Sequence, residues 1–304
     1  MSVPGAASLS IAWGLPFAGV LLSIALLPLT APSFWHHHQG KVAAAWTLAF
    51  LVPFAFAFGP GAAIGGALHA LVAEYVPFVL LLTALYVVAG GIFVRGNLHG
   101  SAALNTQLLG LGAVLASVMG TTGASMLLIR PLLRANDQRK RSAHVVVFFI
   151  FIVANAGGSL TPLGDPPLFL GFLRGVPFFW TLSHLFVPAL CLIAALLAIF
   201  YVIDRRAWRV DAALPVDPTP DTTTFGFEGR INFALLAVVL LLVLMSGVWK
   251  PGLAFSVAGA DVSWAGAARD VGLLIVIALS LWLTPQSARE ANRFSWAPMA
   301  EVAK

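Results

Sequence analysis

The sequence is poor in charge. Of 304 residues only 10% are Asp, Glu, Lys or Arg, against roughly 25% in a soluble domain, too few to cover a water-facing surface. A single cysteine, Cys191, excludes a disulfide framework and a thiolate metal cluster. No G-x-x-x-x-G-K-S/T loop provides for ATP. No H-E-x-x-H or G-x-S-x-G supplies the nucleophile, base and metal that a membrane enzyme would need to converge at one depth, so no enzyme is expected. The first nine residues lack the basic stretch of a cleavable signal peptide. Between Asp137 and Asp204 the only acidic residue is Asp165.

What is present is apolar. Hydrophobic residues make up 60% of the chain and mean hydropathy is +0.93, which defines an all-α integral membrane protein. The net charge of +5 reflects Lys and Arg gathered on the cytoplasmic side of a membrane, and no nucleic acid is expected. Crossing a hydrocarbon core of about 30 Å takes about 20 apolar residues. Spans fall at 10–29, 42–59, 76–94, 180–203, 231–249 and 268–284, with 60–75 an interfacial segment ahead of the third. Two further segments are irregular: 104–134, interrupted by "GTTG" at Gly120 to Gly123, and 143–171, interrupted by "ANAGGSLTPLGDPP". Residues 204–230 read as a polar cytoplasmic loop and 231–304 as connecting helices.

Charge tests this layout. Arg139, Lys140 and Arg141 cluster, as do Arg205, Arg206 and Arg209, and Arg289 with Arg293; Lys41 and Arg95 mark two more loops. All fall inside if the N-terminus is outside. Segment 104–134 then starts and ends on the same side, so it is expected to be a re-entrant hairpin with "GTTG" at its tip. Its legs, 104–119 and 124–134, would reach about 24 and 16 Å at 1.5 Å per residue, deep enough for the tip to approach the midplane. The count is about seven transmembrane helices plus the hairpin. Single charges at Arg174, Lys250 and Arg269 are left outside. Arg130 and Arg134 are placed to snorkel to the headgroups.

Irregular backbone at membrane depth persists only within protein or along a watery cavity. Pro162, Pro166 and Pro167 donate no amide hydrogen bond, and Gly157, Gly158 and Gly164 loosen the helix. Broken helices of this kind form ion and substrate sites in secondary transporters. Free carbonyls with the Ser159 and Thr161 hydroxyls would offer hard oxygen ligands to an alkali cation, Asn155 a further polar group, and Asp165 the charge. An ionised Asp at a helix centre costs about 2.5–3.5 kcal/mol, so its presence calls for a function. At the hairpin tip Thr121, Thr122 and Ser125 are suited to ion ligation as well. The adjacent histidines of "WHHHQGK", read as a short inside loop, cannot face one point. No metal is expected beyond Na⁺ at Asp165, and His69, His99, His144 and His184 are too scattered to form a catalytic pair.

The two motifs together resemble the ion transporter superfamily, in its sodium:proton antiporter and arsenite-permease-like branch. There a hairpin-tip motif precedes N-x-GG-x-x-TP-x-GDP, matched here by Asn155, Gly157, Gly158, Thr161, Pro162, Gly164, Asp165 and Pro166. "GTTGASMLLIRPLLRAN" and "FWHHHQGK" are similar to the subgroup of citrate transporters and sodium:proton antiporters. The resemblance covers most of 20–210. It implies an inverted-repeat transporter, with residues 1–203 as its first repeat and the second expected to be missing from this chain. Na⁺/H⁺ exchange at Asp165 across the inner membrane is the leading reading, because one acid and no buried base suit a cation. Rivals are a cation-coupled citrate or dicarboxylate carrier and an arsenite-type permease. A non-transporting membrane subunit or truncated fragment is the alternative of a different class. No cofactor is expected; Na⁺ and H⁺ are the coupling ions. The partners are the lipid bilayer and a small inorganic ion or carboxylate, with a homodimer an allowed arrangement.

Overall fold

The structure, a computed structural model, describes residues 10–96, 98–210, 226–249, 252, 254–257 and 260–302. Eight helical segments among them are long and apolar enough to cross a membrane. One of these, 102–134, is folded back on itself, which leaves seven spans and a hairpin, as expected. The chain forms two compact units, one of Met1–Val76, Ala254–Val262 and Trp296–Lys304, the other of Pro77–Leu253 and Ser263–Ser295.

In the first unit α1 (Leu15–Thr30) and α2 (Pro32–Phe58) lie antiparallel. Trp13 packs against Phe50, Phe54 and Phe58, and Trp46 donates to Ser23 Oγ at 3.1 Å. The "WHHHQGK" stretch is not a loop. It forms the first turns of α2, with Pro32 at the helix start, where proline's missing N–H costs nothing. His37 and His38 spend their Nδ1 atoms on the carbonyls of Ser33 and Phe34. No metal-binding group of His, Cys, Asp and Glu occurs among the described residues. Residues 60–75 also differ from expectation: α3 (Pro60–His69) and a π-helical turn (Ala70–Tyr75) lead without a helical break into α4 (Val76–Gly90). The remaining parts are a short ribbon of β3 (Ala254–Val257) and β4 (Ala260–Ser263), and α12 (Ala297–Val302).

The second unit is built around α5 (Ala102–Arg134). Gly120, at φ 78° and ψ 154°, interrupts it; this region is essentially confined to glycine. A straight helix would hold Asn105 and Asn136 about 45 Å apart, yet their side chains exchange hydrogen bonds of 2.8 and 2.9 Å. Gly100 N donates to Ala135 O, and a Cβ on Gly112 would lie 3.1 Å from Leu128 Cδ1. The two legs therefore run side by side, and small residues set their spacing. The tip is one residue, tighter than the four-residue "GTTG" turn expected, because helix resumes at Thr121.

Further helices pack against the hairpin. The next helix is broken into α6 (Ala143–Ile152) and α7 (Pro166–Leu173), with a 3₁₀ turn at Ala156–Leu160 between them. Then come α8 (Trp180–Val210), α9 (Ile231–Val248), α10 (Trp264–Leu283) and α11 (Gln286–Ala291). The hairpin's apolar window is 56% buried and that of α8 only 11%, so the hairpin is interior while α8 turns Val187, Leu190 and Ile199 outward to lipid. The span expected at 76–94 ends at Gly90. Phe93–Arg95 instead forms β1, paired antiparallel with β2 (Gly226–Glu228). The polar loop expected from residue 204 is helical through Val210, and its 211–225 lies outside the described residues.

The end of α4 explains how α9 and α11 dock. A helix end leaves orphan carbonyls that need donors. Asn292 Nδ2 donates to Gly90 O and Ile92 O, Asn232 Nδ2 to Gly91 O, and Arg289 Nη1 to Val87 O. Burial pushes the Arg289 guanidinium below its ordinary value, though a guanidinium stays charged in a protein.

The hairpin makes a direct prediction about membrane sidedness. In a Cys191→Ser background, cysteines at the exposed positions His99 and Lys140 should both react with an impermeant thiol reagent added to one face of a vesicle. Labelling from opposite faces would make 102–134 a crossing segment.

Candidate functional site

The site forms where the hairpin tip meets the break between α6 and α7. A straight helix would bond Thr121 N to Ser117 O. With Gly120 turned out of helix, both groups are released and both find partners in the break. Thr121 N donates to Gly164 O at 3.3 Å, and Thr161 Oγ1 donates to Ser117 O. The break's other carbonyls are met similarly: Ser117 Oγ donates to Gly157 O at 2.6 Å and Thr181 Oγ1, from α8, to Leu160 O at 2.9 Å. Glycines allow this approach. A Cβ on Gly157 would lie 2.7 Å from Ala113 Cα, and one on Gly158 2.7 Å from Thr121 Cγ2.

The nine sequence-predicted residues fall into distinct roles. Gly157, Gly158, Thr161 and Thr121 are the joint itself: Thr161 Oγ1 also accepts from Leu163 N at 3.2 Å, so this hydroxyl is engaged on two sides. The carbonyls of Gly157, Leu160 and Gly164, expected to be free, are each already engaged, although each keeps a second lone pair. Ser159 Oγ donates to Ala156 O, and Asn155, exposed, turns back to Ile150 O. Thr122 is exposed at the tip. Ser125 Oγ is enclosed with no hydrogen-bond partner among the described residues.

Asp165 stands apart. It directly follows Gly164, which is bonded to the tip, and occupies the N-cap of α7 with extended backbone (φ −139°, ψ 130°). An aspartate there ordinarily accepts from an amide of the first turn. Here Pro166 and Pro167 fill the first positions and have no N–H, and the side chain makes no capping hydrogen bond. Only the Asp165 carbonyl is engaged, by Leu168 N and Phe169 N. The half-buried carboxylate is left available to a ligand.

Two constellations escaped the sequence reading. At the hairpin base Asp204, 0% exposed, accepts from Arg139 Nη1 at 2.6 Å, Asn105 Nδ2 at 2.9 Å and His144 Nε2 at 2.7 Å. Arg139 also stacks over Trp208. The sequence had assigned Arg139 and Asp204 to loops. A local signal exists only for Asp204, four residues after buried Phe200 on the same face of α8. The second is Arg269 in α10, left by the sequence as a stray outside charge. It is 3% exposed, pairs with Asp270 at 2.8 Å, and lies over the Phe169 ring of α7 at 5.5 Å. A buried base is therefore present, contrary to expectation. Ser117 was missed too, although a small polar residue one turn before a helix-breaking glycine is a readable sign.

A broken helix locked to a helical hairpin, among helices long and apolar enough to cross a membrane, is an arrangement suited to a membrane transporter. Residues 6–304 match the family described as "Putative citrate transport", and the chain belongs to that family. Comparison with curated proteins and with solved structures gives no match.

The buried pair at the hairpin base yields a stability prediction. Removing one member strands the other's charge, at a cost of about 3–5 kcal/mol. Asp204→Ala should lower the melting temperature in detergent markedly, and Arg139→Met combined with Asp204→Leu should lower it less. An unchanged melting temperature in Asp204→Ala would mean that the pair does not hold the base.

Proposed function

We propose that the protein is a secondary transporter of citrate-class carboxylates, coupled to a cation, Na⁺ or H⁺, bound at Asp165. The observation that carries the substrate class is the family match over nearly the whole chain. Coupling is supported by the Asp165 carboxylate, which makes no capping hydrogen bond at a helix start where two amides are lost to proline, and which follows the residue bonded to the hairpin tip. Na⁺/H⁺ exchange without an organic substrate, favoured by the residues alone, ranks second. Its premise was the lack of a buried base, and Arg269 removes that premise.

In this reading the cation neutralises Asp165 during the crossing, since a bare intramembrane carboxylate is costly. Thr122 and Ser125 at the tip, with the second lone pairs of the break's carbonyls, are candidate further oxygen ligands. The protein would sit in the inner membrane with its N-terminus outside, so that the hairpin enters from the cytoplasmic side and the exposed Arg205, Arg206 and Arg209 meet the cytoplasm.

Uptake of labelled citrate into proteoliposomes tests the proposal. A Na⁺ or proton gradient should drive it. Asp165→Asn should insert and melt like wild type yet fall to background uptake, while Asp165→Glu keeps weak uptake with altered pH dependence. Na⁺/H⁺ exchange without citrate uptake would restore the antiport reading. Wild-type uptake by Asp165→Asn would reduce the aspartate to a structural residue.

A further inference from the structure

We infer that Arg269 binds a carboxylate group of the transported anion; the inference rests on the carboxylate-transport reading above. Arg269 lies in the second turn of α10 and is 3% exposed, and a charge buried within protein normally finds a counter-charge on a facing element. Among the described residues Arg269 has none there. Its acid is the next residue of its own helix: Nε donates to Asp270 Oδ1 at 2.8 Å, and Nη2 lies 2.8 Å from the same oxygen. Successive helix positions do not face each other, so the guanidinium is folded back along α10 onto a neighbour.

This arrangement leaves donors available. A guanidinium has five N–H groups. Asp270 accepts one from Nε and its Oδ1 lies within ion-pair distance of Nη2, and no described residue accepts from Nη1. The end of the fork, formed by Nη1 and the second Nη2 hydrogen, matches a carboxylate held by two parallel hydrogen bonds. The location is also suitable. Arg269 lies over Phe169, and Phe169 is one helical turn from Asp165, whose carbonyl its amide engages at 3.3 Å. A cation at Asp165 and a carboxylate at Arg269 would occupy the same end of α7, each neutralised by the protein.

A purely structural ion pair behaves differently from a substrate ligand. Breaking such a pair from either side strands a charge, so Arg269→Gln and Asp270→Asn would lose citrate uptake alike. If Arg269 binds the anion, the two variants move in opposite directions. Arg269→Gln should raise the KM for citrate by about 10- to 100-fold, the range of a charge-assisted hydrogen bond, with Na⁺ half-saturation held near wild type. Asp270→Asn, which releases donors, should lower the KM. Arg269→Lys should fall between wild type and Arg269→Gln, because an ammonium keeps the charge without the fork; it carries the test if Arg269→Gln fails to fold. A wild-type citrate KM in Arg269→Gln or Arg269→Lys, or parallel losses in Arg269→Gln and Asp270→Asn, would overturn the assignment. Wild-type protein that exchanges Na⁺ for H⁺ but takes up no citrate would overturn the carboxylate reading first, before any variant is compared.

Discussion

One displaced helical hydrogen bond organises the interior of this protein. At Gly120 the bond from Thr121 N to Ser117 O is given up, and each released group bonds to the neighbouring broken helix, at Gly164 O and Thr161 Oγ1. Neither break could exist alone in lipid, where an unpaired amide or carbonyl costs several kcal/mol. Each supplies the donors and acceptors that the other lacks. The glycines at 157 and 158 belong to the same constraint, because a Cβ there would press on Ala113 and Thr121 of the hairpin, while one on Gly164 would strike Gly158 within the break.

The same requirement shapes the rest of the second unit. The carbonyls at the end of α4 are met by Asn232, Arg289 and Asn292, so a helix early in the chain is completed by residues far along it. The hairpin base is closed by Asn105 and Asn136 and tied to α6 and α8 through His144, Arg139 and Asp204. Polar groups thus hold the two ends of the hairpin, while Leu109, Ala116, Met119, Ala124 and Leu127 fill the space between. Where helices have no polar obligation, as along most of α8, they present bulky apolar side chains outward.

Against this background of satisfied groups, the exceptions mark function. Asp165 is an acid at a helix start where prolines remove two amides and the next bonds its carbonyl instead of its carboxylate. Arg269 is a base whose acid partner among the described residues is the next residue of its own helix. In the proposed reading, these two under-partnered charges are held for ligands that come and go.

Composition alone determined that this chain lives in a membrane, since 10% charge cannot clothe a soluble surface. Local pattern located both breaks, because glycine and proline act on their own residues' backbone whatever surrounds them. Counting basic clusters predicted that 104–134 must return to the side it entered, and the paired legs agree. Sequence could not say that "WHHHQGK" is helical, that α8 continues past Asp204, or that Arg139, Asp204 and Arg269 are buried. Nor could it say which hydroxyls of the break are already engaged. Those outcomes depend on partners 30 to 200 residues away. Burial and hydrogen bonding at such distances are properties of the packed chain, and only the tertiary structure decided them.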